Sequence, residues 1–351
     1  MTTSHDTIAY RALALQTRCD AVNGLSVTDA RAQMRQTIER IGRQIASSKT
    51  FVGQDLKLVV LPEYFLTSFP TGETIEQWQQ CAALRTDGPE YDQLGALAQK
   101  LDVYLCGNVY EVDDAFDALY FQTSFIISPA GDVVLRYRRL VSMFAPTPHD
   151  VWDRYLDVHG FEAVFPVVET PLGRLAAIAS EEILYPEIAR AFALQGAEVL
   201  LHSTSEVGSP TLTPKDIAKR ARAVENAAYV VSANSAGIVT TNDGFPASST
   251  DGMSKIVDSQ GVVMVEAGYG ESMVANAELN ISALRRWRRR PGMGNVLSRQ
   301  RLELFRPVYE QTVHAANAML DADGNVAVPE RSQFVAVQRD VIERLVKAGR
   351  L

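Results

Sequence analysis

Two stretches of adjacent apolar residues, Leu58-Val59-Val60-Leu61 and Val199-Leu200-Leu201, set the first limit on the fold. A strand with one face in water alternates apolar and polar side chains, whereas a strand covered on both faces does not. These runs therefore call for sheets with a packed layer on each side. Around and between them lie segments with helical periodicity, at residues 29–46, 91–100, 183–195, 214–226 and 281–290. The first of these is expected to end near the loop Ser47-Ser48-Lys49-Thr50, and the third at Gly196. Further strands are expected at residues 9–15, 103–106, 229–234 and 273–279. Hairpins are signalled around Pro129-Ala130-Gly131, Pro171-Leu172-Gly173 and Ser259-Gln260-Gly261, and a Gly/Ser/Thr/Asn-rich stretch runs to Asp251. Strands joined by both helices and hairpins fit two sheets with helices outside, in the α/β class.

Nothing in composition divides the chain. Its 351 residues are 46% hydrophobic and 22% charged, enough for a sizeable core, and no linker of disordered composition interrupts them. One domain is expected over residues 1–291, with 292–351 a less patterned extension packed on the domain or on a partner subunit. The net charge of -8 gives no reason to expect nucleic acid or an anionic membrane as partner. No apolar run reaches the ~18 residues of a membrane span, and the N-terminus lacks the pattern of a secretory signal. Cys19, Cys81 and Cys106 are scattered, which suits a reducing, cytoplasmic setting, and the five histidines include no pair at metal-ligand spacing. Neither a metal nor a cofactor is expected.

Glu63 follows a buried strand, at the strand end where ligands of α/β folds bind, and is a candidate general base; it reads equally well as a surface or capping glutamate. Ser180 lies between the strand at 175–179 and a helix, so its hydroxyl is presented at the sheet end beside free backbone N–H groups. A serine starting a helix is the plainer reading of that position. Arg138 and Arg139 follow the strand at 133–137. A guanidinium there can hold an oxyanion or a carboxylate but cannot shuttle a proton, and a solvated basic pair is the alternative. The run Arg285, Arg286, Arg288, Arg289, Arg290 reads as an exposed or interface helix face.

At these residues the chain resembles the nitrilase superfamily of carbon–nitrogen hydrolases, from about residue 9 to 290. Leu58-Val59-Val60-Leu61-Pro62-Glu63-Tyr64 is similar to the segment carrying the family's glutamate base. Ser128-Pro129-Ala130-Gly131 through Arg138-Arg139 is similar to the hairpin leading to its lysine, and Pro171-Leu172-Gly173 through Tyr185-Pro186-Glu187 to its nucleophile strand and elbow. Later blocks, Gly196 to Leu201, Arg220 to Asn226 and Gly252 to Asp258, follow in the family's order. The resemblance implies an α-β-β-α sandwich, a homodimer or higher homo-oligomer, and a Glu–Lys–Cys triad that cleaves small amides or nitriles.

The triad itself has changed. Ser180 stands at the cysteine position, Arg139 at the lysine position and Asp153 at that of a supporting glutamate, while Glu63 is kept and Glu182 keeps the acidic residue after the nucleophile. Three such changes together fit natural divergence better than a single inactivating replacement. A thiol of pKa about 8.5 yields some thiolate at neutral pH and a hydroxyl essentially none, so Ser180 would depend on a base. The expected role is hydrolysis of a small amide-type substrate with Ser180 as nucleophile, Glu63 as base and Arg139 as oxyanion or carboxylate anchor. Tyr64, Arg138, Asp153 and Glu182 would support the site. A catalytically inactive member binding a small carboxylate-bearing ligand is the alternative. Residues 143–159 are expected to form one pocket wall.

Overall fold

Leu58 and Val60 belong to one buried cluster and Val59 and Leu61 to another, so this strand is covered on both sides, as its unbroken apolar run requires. The computed structural model describes residues 7–207, 209, 211–240, 252–328 and 330–351. The first half of the chain forms β1 (Ala9–Ala14), β2 (Cys19–Asp20), α1 (Val27–Val52), β3 (Leu56–Val60), α2 (Ile75–Ala82), α3 (Pro89–Leu101), β4 (Tyr104–Val112), β5 (Tyr120–Ile127), β6 (Val133–Arg138) and α4 (Trp152–His159). There follow β7 (Val168–Thr170), β8 (Gly173–Ala179), α5 (Pro186–Leu194), β9 (Val199–Thr204), α6 (Pro214–Asn226), β10 (Tyr229–Asn234), β11 (Ile238–Val239), β12 (Lys255–Val257), β13 (Val263–Glu266), β14 (Asn276–Asn280), α7 (Ile281–Arg288), α8 (Arg306–Tyr309) and α9 (Arg331–Lys347).

Two six-stranded sheets result, in the orders β14-β1-β3-β4-β5-β6 and β13-β12-β10-β9-β8-β7. In each, three parallel strands sit at the centre and antiparallel partners at the edges. One core cluster joins the facing sheets, with Leu58, Val60, Ile126 and Tyr137 from the first meeting Leu175, Ala177 and Val199 from the second. Helices α1 and α3 cover the outer face of the first sheet through Met34, Ile38, Ile41, Leu94 and Ala98, while α5 and α6 cover the second. The architecture is the α-β-β-α sandwich. Each fully buried leucine, Leu58 for example, contributes about 1.5–3 kcal/mol of transfer free energy.

The elements differ from the sequence expectation where side chains answer one another at a distance. Helix α1 does not stop at Ser47–Thr50. Ser48 and Thr50 return their hydroxyls to the carbonyls of Gln44 and Ala46, Lys49 reaches the carbonyl of Leu101 at 2.6 Å, and the helix ends at Gly53 with φ 121°. Strand β4 runs on to Val112 because the charge of Glu111 is met inside the sheet by Arg136 and Arg138. The helix expected from 183 begins only at Pro186, since residues 180–184 form a tighter 3₁₀ turn. The arginines of α7 are not all on a free face: Arg285 grips Glu198 with two bonds of 2.6 and 2.8 Å, and Arg288 donates to the carbonyls of Ala197 and Ala227. Residues beyond 291 are mostly exposed, yet Met319 is buried and Arg331 donates to Phe144 O and Tyr120 Oη at 3.0 and 3.2 Å. Of the polar stretch before Asp251, residues 241–251 lie outside the described residues. Among the described residues no helix is long and apolar enough to cross a membrane.

Candidate active site

The site is assembled where the central strands of both sheets end. In the second sheet β8 and β9 are parallel with Ala179 opposite Ser203, so the next residues, Ser180 and Thr204, sit side by side. The first sheet is pinned to this edge by Glu63 N donating to Thr204 O at 3.2 Å and by Ser203 Oγ donating to Leu61 O at 2.8 Å. Glu63 and Ser180 are thereby brought to one place, 2% and 5% exposed, as their positions at strand ends predict.

Ser180 has φ 45°, a left-handed conformation that costs a non-glycine residue about 1–2 kcal/mol. Its backbone carbonyl accepts from His202 Nε2 at 2.8 Å, while His202 Nδ1 faces Ser232 Oγ at 2.8 Å. Burial, reinforced by Lys219 and Lys215, pushes His202 well below its ordinary pKa, so it is a neutral post holding the elbow. Ser180 Oγ accepts from Lys215 Nζ at 3.1 Å, and the same amine lies 3.3 Å from Thr204 Oγ1. Burial lowers the Lys215 pKa; Glu63 and Glu206 oppose that shift, and Lys219 and Arg139 add to it.

Glu63 is engaged on both oxygens. Oε1 accepts from Gln122 Nε2 at 2.6 Å and from Arg139 Nη1 at 3.3 Å, and Oε2 accepts from Ser205 Oγ at 2.6 Å. Among the described residues no hydrogen bond joins it to Ser180. Arg139 is equally committed. Its Nε donates to Val141 O at 2.7 Å, Nη1 also donates to Gln122 Oε1 at 2.6 Å, and Nη2 pairs with Glu181. Burial works against its charge, but Tyr64, Glu63, Glu181 and Glu182 around it more than offset that and raise its pKa.

Glu182 is fully buried and receives Tyr137 Oη at 2.8 Å and the N–H groups of Leu140 and Val141 at 2.7 and 3.1 Å. It thus fixes the chain just after Arg139. Burial raises its pKa to about 7, although Arg139 and these donors act in the other direction. A raised carboxyl binds its proton in the folded state first. Its contribution to stability is full below pH about 4.5 and is lost as pH rises to about 7, by up to roughly 3 kcal/mol. Urea unfolding should therefore show Glu182→Gln gaining on the wild type across that window. A difference constant from pH 4.5 to 7.5 would contradict this.

Of the remaining expected residues, Tyr64 stays beside Glu63 and Arg139, while Arg138 and Asp153 separate from them. Tyr64, with φ 56°, stacks on Tyr110 at 5.3 Å, and burial followed by the Glu63 charge raises its phenol pKa. Arg138 turns away from Arg139. It meets Asp113 at 2.6 Å and Glu111 at 3.6 Å, touches His159 Nε2 at 2.8 Å, and lies over the rings of Phe121 and Tyr155, a buried ionic network on the helix side of the sheet. Asp153 is exposed on α4, where the inward position is taken by Tyr155, and its backbone N–H donates to Asn317 Oδ1 at 2.9 Å. It does not join Glu63. The expected wall of residues 143–159 likewise packs Tyr155 against Phe116 and Phe121. Two surface clefts of about 320 and 350 Å³ beside Arg40 contain none of the site residues.

Lys215, Gln122, Ser205 and Glu181 also stand at this candidate site, and the sequence did not single them out. Lys215 had a readable signal: Thr213-Pro214-Lys215-Asp216 is a capped helix start, and the helix that follows β9 begins at the edge that carries Ser180. Among the described residues no group of three or more His, Cys, Asp or Glu is placed to hold a metal ion.

The carbon-nitrogen hydrolase family profile matches residues 20–289. A formamidase of Bacillus thuringiensis (strain Al Hakam) is 29% identical over 215 residues, 60% of this chain and 59% of that protein, and formamidases of Bacillus cereus strains match to the same extent. The chain thus spans about three fifths of the length of the curated relatives it matches. Among solved structures, a carbon-nitrogen hydrolase from Helicobacter pylori G27 is similar with a TM-score of 0.65 and 19% identity, over 88% of this chain and 100% of that one. An amidase from Nesterenkonia sp. is similar with a TM-score of 0.60 and 18% identity, over 86% and 97%. A mutant of that amidase carries the acetamide moiety of fluoroacetamide at its active site cysteine. With the family profile spanning most of the chain and the sandwich formed, the chain belongs to the carbon-nitrogen hydrolase family.

Proposed function

We propose that this chain is a hydrolase of small amide-type substrates in which Ser180 is the nucleophile. The observation that carries the reading is the Ser180 hydroxyl held on a strained, left-handed elbow at the sheet end, with an amine 3.1 Å away. Relatives named formamidase and amidase favour a small acyl group and a C–N bond. In this reading Oγ of Ser180 adds to the amide carbon, the amine leaves, and water releases the acid from the acyl-serine. Glu63 and Arg139 act as a fixed pair of opposite charges beside the elbow. The Arg139 charge stabilises the oxyanion, which suits its buried and fully engaged guanidinium better than holding a substrate carboxylate. That engagement also removes support from the inactive-binder reading, which needs a free guanidinium face.

Release of ammonia from formamide, acetamide and propionamide tests the reading. Wild type should turn over at least one of them, with Ser180→Ala at background and Glu63→Gln strongly impaired through the loss of the Arg139 partner. Unchanged turnover in both variants, or none in the wild type, would sink it.

A further inference from the structure

We propose that Lys215, and not Glu63, is the base that takes the Ser180 proton, so that the chemistry runs on a serine–lysine pair. This rests on the hydrolase reading above. Lys215 Nζ is the one side-chain group hydrogen-bonded to Ser180 Oγ among the described residues, at 3.1 Å. Glu63, the base expected from the family resemblance, spends its two oxygens on Gln122, Arg139 and Ser205.

The surroundings favour a neutral amine. Among the described residues Lys215 forms no ion pair, although carboxylates stand close by. Glu63 is paired with Arg139, Glu206 with Lys219, and Asp216 with Lys255 at 2.7 Å and Lys219 at 3.5 Å. From the neighbouring elements the amine faces Glu63, Glu206, Lys219 and Arg139, with neutral His202 beneath the elbow. Two carboxylates already neutralised by other cations give an ammonium little direct partnership in a partly buried site. The downward shift of its pKa, caused first by burial, agrees with this. A neutral amine has two N–H bonds and a lone pair. One N–H directed at Thr204 Oγ1, 3.3 Å away, leaves the lone pair for the Ser180 hydroxyl.

The steps balance without any further reactant than water. As Oγ bonds to the amide carbon, its proton passes to Nζ and the carbonyl π pair moves to oxygen. When the tetrahedral intermediate collapses, the C–N bond breaks and the Nζ proton goes to the leaving nitrogen. Water then adds to the acyl ester, Nζ accepts its proton, and that proton returns to Ser180 Oγ as the acid departs. The lysine that the strand lacks at Arg139 is thus supplied from α6, in a different role.

The test is the pH dependence of kcat/KM on the same short amides for wild type, Lys215→Met, Lys215→Arg and Glu63→Gln, each checked for a cooperative unfolding transition above the assay temperature. Lys215→Met should lose at least about 10³-fold, and Lys215→Arg should lose as much, because a guanidinium stays protonated. The acid limb of the profile should vanish in both and persist, at reduced height, in Glu63→Gln. If Lys215→Arg keeps a rate near wild type, or the acid limb persists in Lys215→Met and vanishes in Glu63→Gln, the inference is overturned while the hydrolase reading stands. A wild type inactive on every amide overturns the hydrolase reading, and the inference with it.

Discussion

Arg139→Ala is expected to cost the fold about 3–5 kcal/mol, seen as a fall in Tm of roughly 4–7 °C. The guanidinium is 6% exposed and neutralises Glu63, which is 2% exposed, as well as Glu181. Removing it leaves Glu63 among neutral donors such as Gln122 and Ser205 and also strips a donor from Gln122 Oε1 and from Val141 O. The desolvation of Glu63 is then uncompensated. Removing both charges should recover much of the loss, because the penalty lies in the orphaned partner more than in the missing bond. Arg139→Ala combined with Glu63→Gln is therefore expected to be more stable than Arg139→Ala alone. Thermal unfolding of Arg139→Ala, Glu63→Gln and the double variant checks this. Additive losses would show that the two residues are not coupled in the folded protein.

Ser180→Gly should separate activity from stability. Turnover should fall by on the order of 10⁴-fold or more, since the substitution removes the proposed nucleophile. Stability should hold or rise by up to about 1 kcal/mol, because glycine accepts φ 45° without the steric cost that serine bears, and this outweighs its larger conformational entropy when unfolded. Ser180→Ala loses the same activity but keeps the strain, so the glycine variant should be the more stable of the two. A glycine variant clearly less stable than the alanine one in urea would mean that the elbow is not strained.

The opposite signs in these two positions follow from what each residue is for. Arg139 compensates charges and its loss is felt by the fold. Ser180 sits where the backbone is bent for presentation, and among the described residues the hydrogen bond of its hydroxyl is the one to Lys215.

The convergence of Glu63 and Ser180 on one sheet edge was legible in the sequence, and what was not legible in the candidate site has physical causes. Glu63 and Ser180 were readable because each ends a strand whose apolar run demands a central place in a sheet, and ends of central parallel strands converge. Arg138 and Arg139 are adjacent in sequence but face opposite sides at the end of β6. Only the packing of Tyr137 between the sheets shows that Arg138 must turn toward Glu111 and Asp113. Asp153 was placed by spacing alone, and the apolar demand of Phe116 and Phe121 on α4 was met by Tyr155, leaving Asp153 in solvent. Lys215 carried a helix-start pattern that explains itself locally, so nothing in the sequence sends its side chain back to the elbow. Gln122 carries no charge to mark it, and its part, bridging Glu63 and Arg139 from β5, exists only once the first sheet is formed.

The central claim is that the elbow hydroxyl forms a covalent bond to the acyl group. Intact-mass and peptide-level mass spectrometry of protein quenched during turnover of a short amide measures it directly. The account predicts an acyl adduct on the peptide carrying Ser180 in the wild type and its absence in Ser180→Ala. Turnover with no adduct at Ser180, or an adduct that survives in Ser180→Ala, would contradict it.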